Sequence, residues 1–245
     1  MFKMALQLYS LKELCAADLD GTLEKIKKAR YEGVETYSLY DLTAKEFKEK
    51  LDKSGLACSS MHVGLDNFYN DLDKVISDAV TIGAQIVSIP WMEAELEADV
   101  LKMVNFVREN AAKVSENGLK WTYHNHAHEF KPLDTGKDFF DVLLDNTDAS
   151  QINLQVDTYW VEQADVPVTG FIEKYKARIG GFHLKDHREV GAGDIDFPAV
   201  LKAAKELGQE WLVVEQEEFE ADPFDCIRVS YNNVRKIEET HFTAP

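Results

Sequence analysis

Cysteine is scarce in this chain: Cys15, Cys58 and Cys226 are the only three among 245 residues. An odd count without paired spacing argues against a disulfide framework and suggests reduced thiols, each read first as a small buried hydrophobe. Long apolar runs are missing too. No stretch approaches the roughly 18 consecutive apolar residues of a membrane-spanning helix. The opening MFKMALQLYS is short and mixed, unlike a secretory signal. These features predict a cytoplasmic protein. Positive charge is in deficit, with 27 Lys and Arg against 44 Asp and Glu, a formal net charge of −17. Such a surface repels phosphate backbones and anionic lipid, so neither nucleic acid nor membrane is expected as a partner. No glycine-rich phosphate turn follows the first apolar run, ALQLYS, which counts against a doubly wound dinucleotide fold. Hairpin signals are absent as well.

What is present is a repeated pattern on a 45% hydrophobic background, enough for a full core. An amphipathic stretch leads to a glycine and then to a short β-favouring run. Examples are EKIKKARYEGVETYSLY, KVISDAVTIGAQIVSIP and LKAAKELGQEWLVVEQ. The glycines Gly33, Gly55, Gly83, Gly118, Gly180 and Gly208 each suit the left-handed position that ends a helix. The runs after them are rich in Val, Ile and aromatics. With KMALQLYS at the start and SQINLQVDTYW after GKDFFDVLLDN, the count reaches eight strands, the last helix falling near 223–239. Alternating β and α elements imply a parallel sheet. Eight such units match an α/β fold, a single (β/α)8 TIM barrel spanning 1–245 as one domain.

In such barrels the chemistry lies at the C-terminal ends of the strands. The fifth strand ends in WTYHNHAHEF, which holds three of the seven histidines. The sixth ends at Asp157, the seventh at His183-Leu184-Lys185 and the eighth at Glu215-Gln216-Glu217. Residues two apart share a face of a strand, so His124 and His126 point one way and Asn125 the other. One acidic residue at a strand end is commonly a helix cap. Polar residues ending four consecutive strands instead converge, and a His, Asp, His, Glu set is one that binds divalent metals. The candidate ligands are His124, Asp157, His183 and Glu215.

The ordered motifs YHNHAHEF, VDTYW, FHLKD and VVEQE resemble the xylose isomerase-like barrels, the sugar phosphate isomerases/epimerases, over nearly the whole chain. Within them the YHNHxxEF pattern resembles a subgroup near the inosose dehydratase-like and keto-sugar-processing members. The resemblance implies one divalent cation held by Glu, Asp, His and Glu from strands 5 to 8. Asp157, His183 and Glu215 match that set. His124 stands where many members have glutamate, and Glu129 is the alternative fourth ligand.

A cation so held would polarise a substrate carbonyl and stabilise the enediolate formed on proton loss. Glu215 is the expected ligand and base. Lys185 and His126 are candidates for the second proton carrier or an oxygen clamp, with the Lys185 pKa expected to be lowered beside a cation. His62, Trp91, Glu129 and Trp160 are substrate-contact candidates, although barrel packing alone accounts for such residues about as well. The Gly-x-Gly in GAGD, residues 191–194, reads as a turn before Asp196, a helix cap, with a backbone anion site as the alternative. Two imidazoles favour Mn2+ or Zn2+, with Co2+, Fe2+ and Mg2+ behind them. The expected activity is isomerisation or epimerisation of a sugar or keto-sugar, with its phosphorylation open. The alternatives are a keto-inositol or keto-sugar dehydratase, a DNA-repair endonuclease on the same barrel, and a non-catalytic sugar-binding protein. A homo-oligomer is left open.

Overall fold

The computed structural model describes residues 1–242. Eight parallel strands close into a barrel in sequence order. They are β1 (Lys3–Gln7), β2 (Gly33–Thr36), β3 (Ala57–His62), β4 (Ile86–Ile89), β5 (Lys120–His124), β6 (Asn153–Asp157), β7 (Ile179–Leu184) and β8 (Trp211–Val214). The seam pairs β1 with β8, Leu6 opposite Val214. Among the described residues ten α-helices surround them: α1 (Lys12–Ala17), α2 (Leu19–Lys28), α3 (Ala44–Ser54), α4 (Leu65–Ile82), α5 (Glu97–Glu116), α6 (Phe139–Asp145), α7 (Thr158–Gln163), α8 (Val168–Tyr175), α9 (Phe197–Glu206) and α10 (Pro223–Phe242). This is the expected TIM barrel. All three cysteines are buried free thiols. No helix among the described residues is long and apolar enough to cross a membrane.

Strand alternation divides the barrel chemically. Met4, Leu6, Val34, Val87, Tyr123, Val156, Leu184 and Val214 are buried in the apolar layer that meets the helices. Each fully buried aliphatic side chain there contributes about 1.5–3 kcal/mol. The intervening positions are polar. Paired residues of parallel strands share a face, and the register links Gln7 to Glu35, Glu35 to Ser60 and His62 to Ser88. It then links Ser88 to Thr122, His124 to Gln155 and Asp157 to His183. The upper barrel interior is therefore lined by hydrogen-bonding side chains.

Four of the six punctuating glycines, Gly55, Gly83, Gly118 and Gly208, have the expected positive φ. Gly33 and Gly180 do not end helices; both lie inside strands. Arg30, at φ 82°, takes the left-handed position after α2. Gly33 answers to crowding instead, since a Cβ there would lie 2.8 Å from the Trp211 ring and 2.9 Å from the Ala57 carbonyl oxygen. At Gly180 a Cβ would meet Thr122 at 2.9 Å and Asn153 at 3.0 Å. Asp196 caps α9 as expected, accepting from the Ala199 N–H at 3.0 Å.

Candidate metal centre

The ends of β5, β6, β7 and the residue after β8 bring His124, Asp157, His183 and Glu215 together, all four buried. One ligand atom from each lies within 4.8 Å of all the others. His183 Nδ1 is 2.8 Å from Glu215 Oε2 and 3.9 Å from Asp157 Oδ2. The His124 and His183 ring centroids are 4.5 Å apart. A second grouping, His62, His124 and His183, shares two of these residues.

Asp157 caps a helix with one carboxylate oxygen and leaves the other unpaired. Its Oδ1 caps α7, accepting from the Trp160 N–H at 2.9 Å. Its Oδ2 is buried with no hydrogen-bond partner, and so is His124 Nδ1. Leaving a buried polar group unpaired costs about 1–3 kcal/mol, and more when it is charged. A divalent cation among the four side chains would satisfy both atoms. Two carboxylates would balance its charge, and two neutral imidazoles complete a conventional donor set. The residues present therefore fit a metal ion, which His124, Asp157, His183 and Glu215 would hold. Asn125, between His124 and His126, ties β5 to β6: its Oδ1 accepts from the Asp157 N–H at 2.9 Å.

The electrostatics favour the same point for a cation. Burial alone would lower the His183 pKa, but Glu35 and Glu215 on either side of the ring prevail and raise it to about 10. Burial also raises Asp157, against the pull of Lys185. It opposes ionisation of Glu215 too, yet Lys185 and His183 hold that group down at about 2. Of these two carboxyls, a proton therefore favours Asp157. Desolvation keeps His124 neutral, with its pKa well below the ordinary imidazole value.

Glu215 and His124 form part of the floor of a cavity of about 860 Å³, with Gln7 and His62 beside them. His126 lines its wall, half-buried, with Nδ1 unpartnered and its ring 4.8 Å from Trp91 and 5.2 Å from Trp160. Burial lowers the His126 pKa to about 3. Trp91 is half exposed at the rim, and Trp160 faces it across the opening. Tyr9, Tyr37 and Phe130 add to the aromatic lining.

Lys185 sits among carboxylates. Its Nζ lies 3.5 Å from Glu215 Oε1 and in closer contact with Glu217, and 4.8 Å from the Trp160 ring. Burial would lower its pKa, but Glu215, Asp157 and Glu217 outweigh that and raise it. Three carboxylates thus hold the ammonium charged.

Glu129 is not brought to the cavity. It is buried beside Tyr123, on the outer face of β5, accepting from the Tyr123 hydroxyl and the His126 N–H, each at 2.8 Å. The GAGD loop is also committed elsewhere. The N–H groups of Gly191 and Gly193 donate to Asp186 Oδ2 at 3.0 Å, so they close a turn around that carboxylate.

One central residue, on the second strand, was given no role from the sequence. Glu35 is fully buried under the cluster and accepts from Gln7 Nε2, Gln155 Nε2 and His183 Nε2, each at 2.6 Å, and from the Ser60 hydroxyl. Burial opposes its charge, but His183 and His62 hold its pKa well below the ordinary carboxylate range. A usable signal was present: in VET the glutamate alternates with Val34, so it faces the barrel axis.

Several solved structures share this architecture. A sugar phosphate isomerase/epimerase from Parabacteroides distasonis superposes with a TM-score of 0.85 at 24% identity, over 95% of each chain. An L-ribulose 3-epimerase gives 0.79 at 15% identity, over 98% of this chain and 96% of its own. A 3-keto-D-glucoside 4-epimerase from E. coli gives 0.71 at 15% identity, over 96% of this chain and 100% of its own. At these identities the likeness speaks to the fold. No curated protein matches the sequence. The sequence profile of the xylose isomerase-like TIM barrel matches residues 23–230, most of the chain, and the protein belongs to that family.

Proposed function

We propose that the protein is a metal-dependent isomerase or epimerase of keto-sugars that acts by removing a proton next to a carbonyl. The observation that carries this reading is the convergence of four side chains able to ligate a metal, two with unpartnered atoms, where His124 and Glu215 of the set border an open cavity. Membership of a family composed mostly of sugar isomerases and epimerases supports it. Bound there, Mn2+ or Zn2+ in preference to Mg2+ would polarise the carbonyl and offset the enediolate charge.

The chain's own residues supply the rest. Glu215 is ionised and borders the cavity, so it accepts the proton. Lys185, charged and beside Glu215, clamps the substrate oxygen and returns a proton to it. His126, neutral and with a free nitrogen, is the second proton carrier and takes the hydroxyl proton, while Glu215 returns its proton to the neighbouring carbon. Trp91 and Trp160 cover the apolar faces of the sugar, and His62 hydrogen-bonds a hydroxyl at the floor. The lining carries Glu215, Glu217 and Asp165 against one exposed lysine, Lys131. That balance favours an uncharged sugar over a phosphorylated one. The cavity lies in the upper part of the usual range of about 300–1,000 Å³, which leaves room for a glycosidic substituent.

The test is deuterium exchange. Protein loaded with Mn2+ or Zn2+ is incubated in D2O with a panel of free, glycosylated and phosphorylated keto-sugars. We expect label at the carbon next to the carbonyl of an unphosphorylated member, and none with Glu215→Gln. No exchange with any substrate would contradict the proposal. A product lighter by one water would identify a dehydratase with Lys185 as the acid. Nicking of abasic DNA would point to the endonuclease reading, which the −17 net charge opposes.

A further inference from the structure

Glu35 is the most heavily hydrogen-bonded buried carboxylate of the barrel interior, and it is not among the grouped metal ligands. Its Oε1 lies 2.6 Å from His183 Nε2, 2.9 Å from His62 Nε2 and 2.6 Å from Gln7 Nε2. Its Oε2 accepts from Gln155 Nε2 at 2.6 Å and from Ser60 Oγ. Both of its oxygens already accept from amide or hydroxyl donors, so each imidazole nitrogen facing them is read as carrying a proton. For a neutral imidazole this leaves the lone pair on the other nitrogen, Nδ1.

The opposite sides of both rings point where that lone pair is useful. His183 Nδ1 faces Glu215 and Asp157 at 2.8 and 3.9 Å. His62 Nδ1 faces the Gln7 amide at 3.3 Å, beside the cavity floor. The two rings are stacked, 5.1 Å apart and 4° from parallel. His62 Nε2 also lies 2.8 Å from Gln155 Oε1, a second acceptor that agrees with a proton on Nε2.

We propose that Glu35 is a positioning residue that fixes His183 and His62 together as Nε2–H tautomers, so that His183 presents Nδ1 to a divalent cation and His62 presents Nδ1 to the substrate cavity. The proposal rests on the metal reading above for its His183 half. Outer carboxylates of this kind orient ligating imidazoles and raise their basicity, and removing one weakens metal binding by about 10–100-fold. What is particular here is that one carboxylate holds two rings, reached from the second strand rather than from any strand that supplies a ligand.

The experiment has two arms. Co2+ binding is titrated by visible absorption in the wild type, Glu35→Ala and Glu35→Gln, with folding checked by circular dichroism. Glu35→Ala is expected to lose about 10–100-fold in Co2+ affinity and to show an altered spectrum. Glu35→Gln, which retains one acceptor oxygen for the rings, recovers part of both. In the second arm, long-range 1H–15N correlation on 15N-histidine-labelled, Zn2+-loaded wild type reports the tautomers directly, whether or not the variants fold. Protons on Nε2 of His62 and His183 are expected. Wild-type affinity and spectrum in a folded Glu35→Ala protein, or a proton on Nδ1 of either ring, would overturn the positioning role alone. Failure of the wild type to bind Co2+ or Zn2+ would overturn the metal reading, and the role toward His183 with it.

Discussion

His124 and Glu129 are five residues apart in one motif, yet the end of β5 sends them to opposite sides. His124 joins the buried cluster, whereas Glu129 bonds to Tyr123 on the outer face. His124→Ala should therefore empty the metal site. Glu129→Ala should keep its metal and lose about 1–3 kcal/mol of stability by leaving the Tyr123 hydroxyl unpaired. Metal analysis and denaturant unfolding of the two variants check this; metal retained in His124→Ala and lost in Glu129→Ala would reverse the assignment. Glu215→Gln separates roles at the same scale. The amide still occupies the floor but accepts no proton, so kcat should collapse while substrate affinity changes little. Equal losses in both would make Glu215 structural. These residues were legible because each ends an apolar run and strand alternation aims them inward. Glu35 was not, because its meaning lies in partners 120 and 148 residues away, Gln155 and His183, which no local pattern reveals. The setting of Lys185 was hidden for a related reason: the sequence did not show how closely Glu215, Asp157 and Glu217 would surround it.

At the scale of elements, the eight-fold alternation was readable because each β run is short, apolar and followed by an amphipathic helix. Glycine punctuation was less reliable. A glycine that ends a helix at positive φ and one that lets strands and side chains approach look alike in sequence. Gly180 is of the second kind, and Gly180→Ala should lower stability by about 1–3 kcal/mol, because Thr122 and Asn153 leave no space for a methyl group. Denaturant unfolding tests this: the midpoint should fall with an unchanged slope. An unaltered midpoint would mean that the packing at the start of β7 yields without strain. The GAGD loop carries the same lesson, since its backbone donors serve Asp186, a partner too near in sequence to resemble a ligand.

For the whole molecule, the central question is whether the barrel's polar interior is built around a cation. Metal binding should raise the unfolding temperature in proportion to the logarithm of free metal, and a chelator should reverse the gain. It should also release protons. His183 has its pKa raised to about 10, so at pH 7 it carries a proton on Nδ1, facing Glu215, that a metal must displace. Asp157, raised by burial, gives up part of another. Binding at pH 7 should then release more than one proton per ion and weaken as the pH falls. Calorimetry in buffers of different ionisation heat measures this, and zero release would contradict the pKa assignments. The most direct measurement is X-ray absorption at the zinc edge of Zn2+-loaded protein, combined with metal analysis. The account predicts one ion per chain, bound by two imidazoles and two carboxylate oxygens. Failure to bind stoichiometric metal would contradict it, as would a shell of three imidazoles, which would place the ion among His62, His124 and His183 instead.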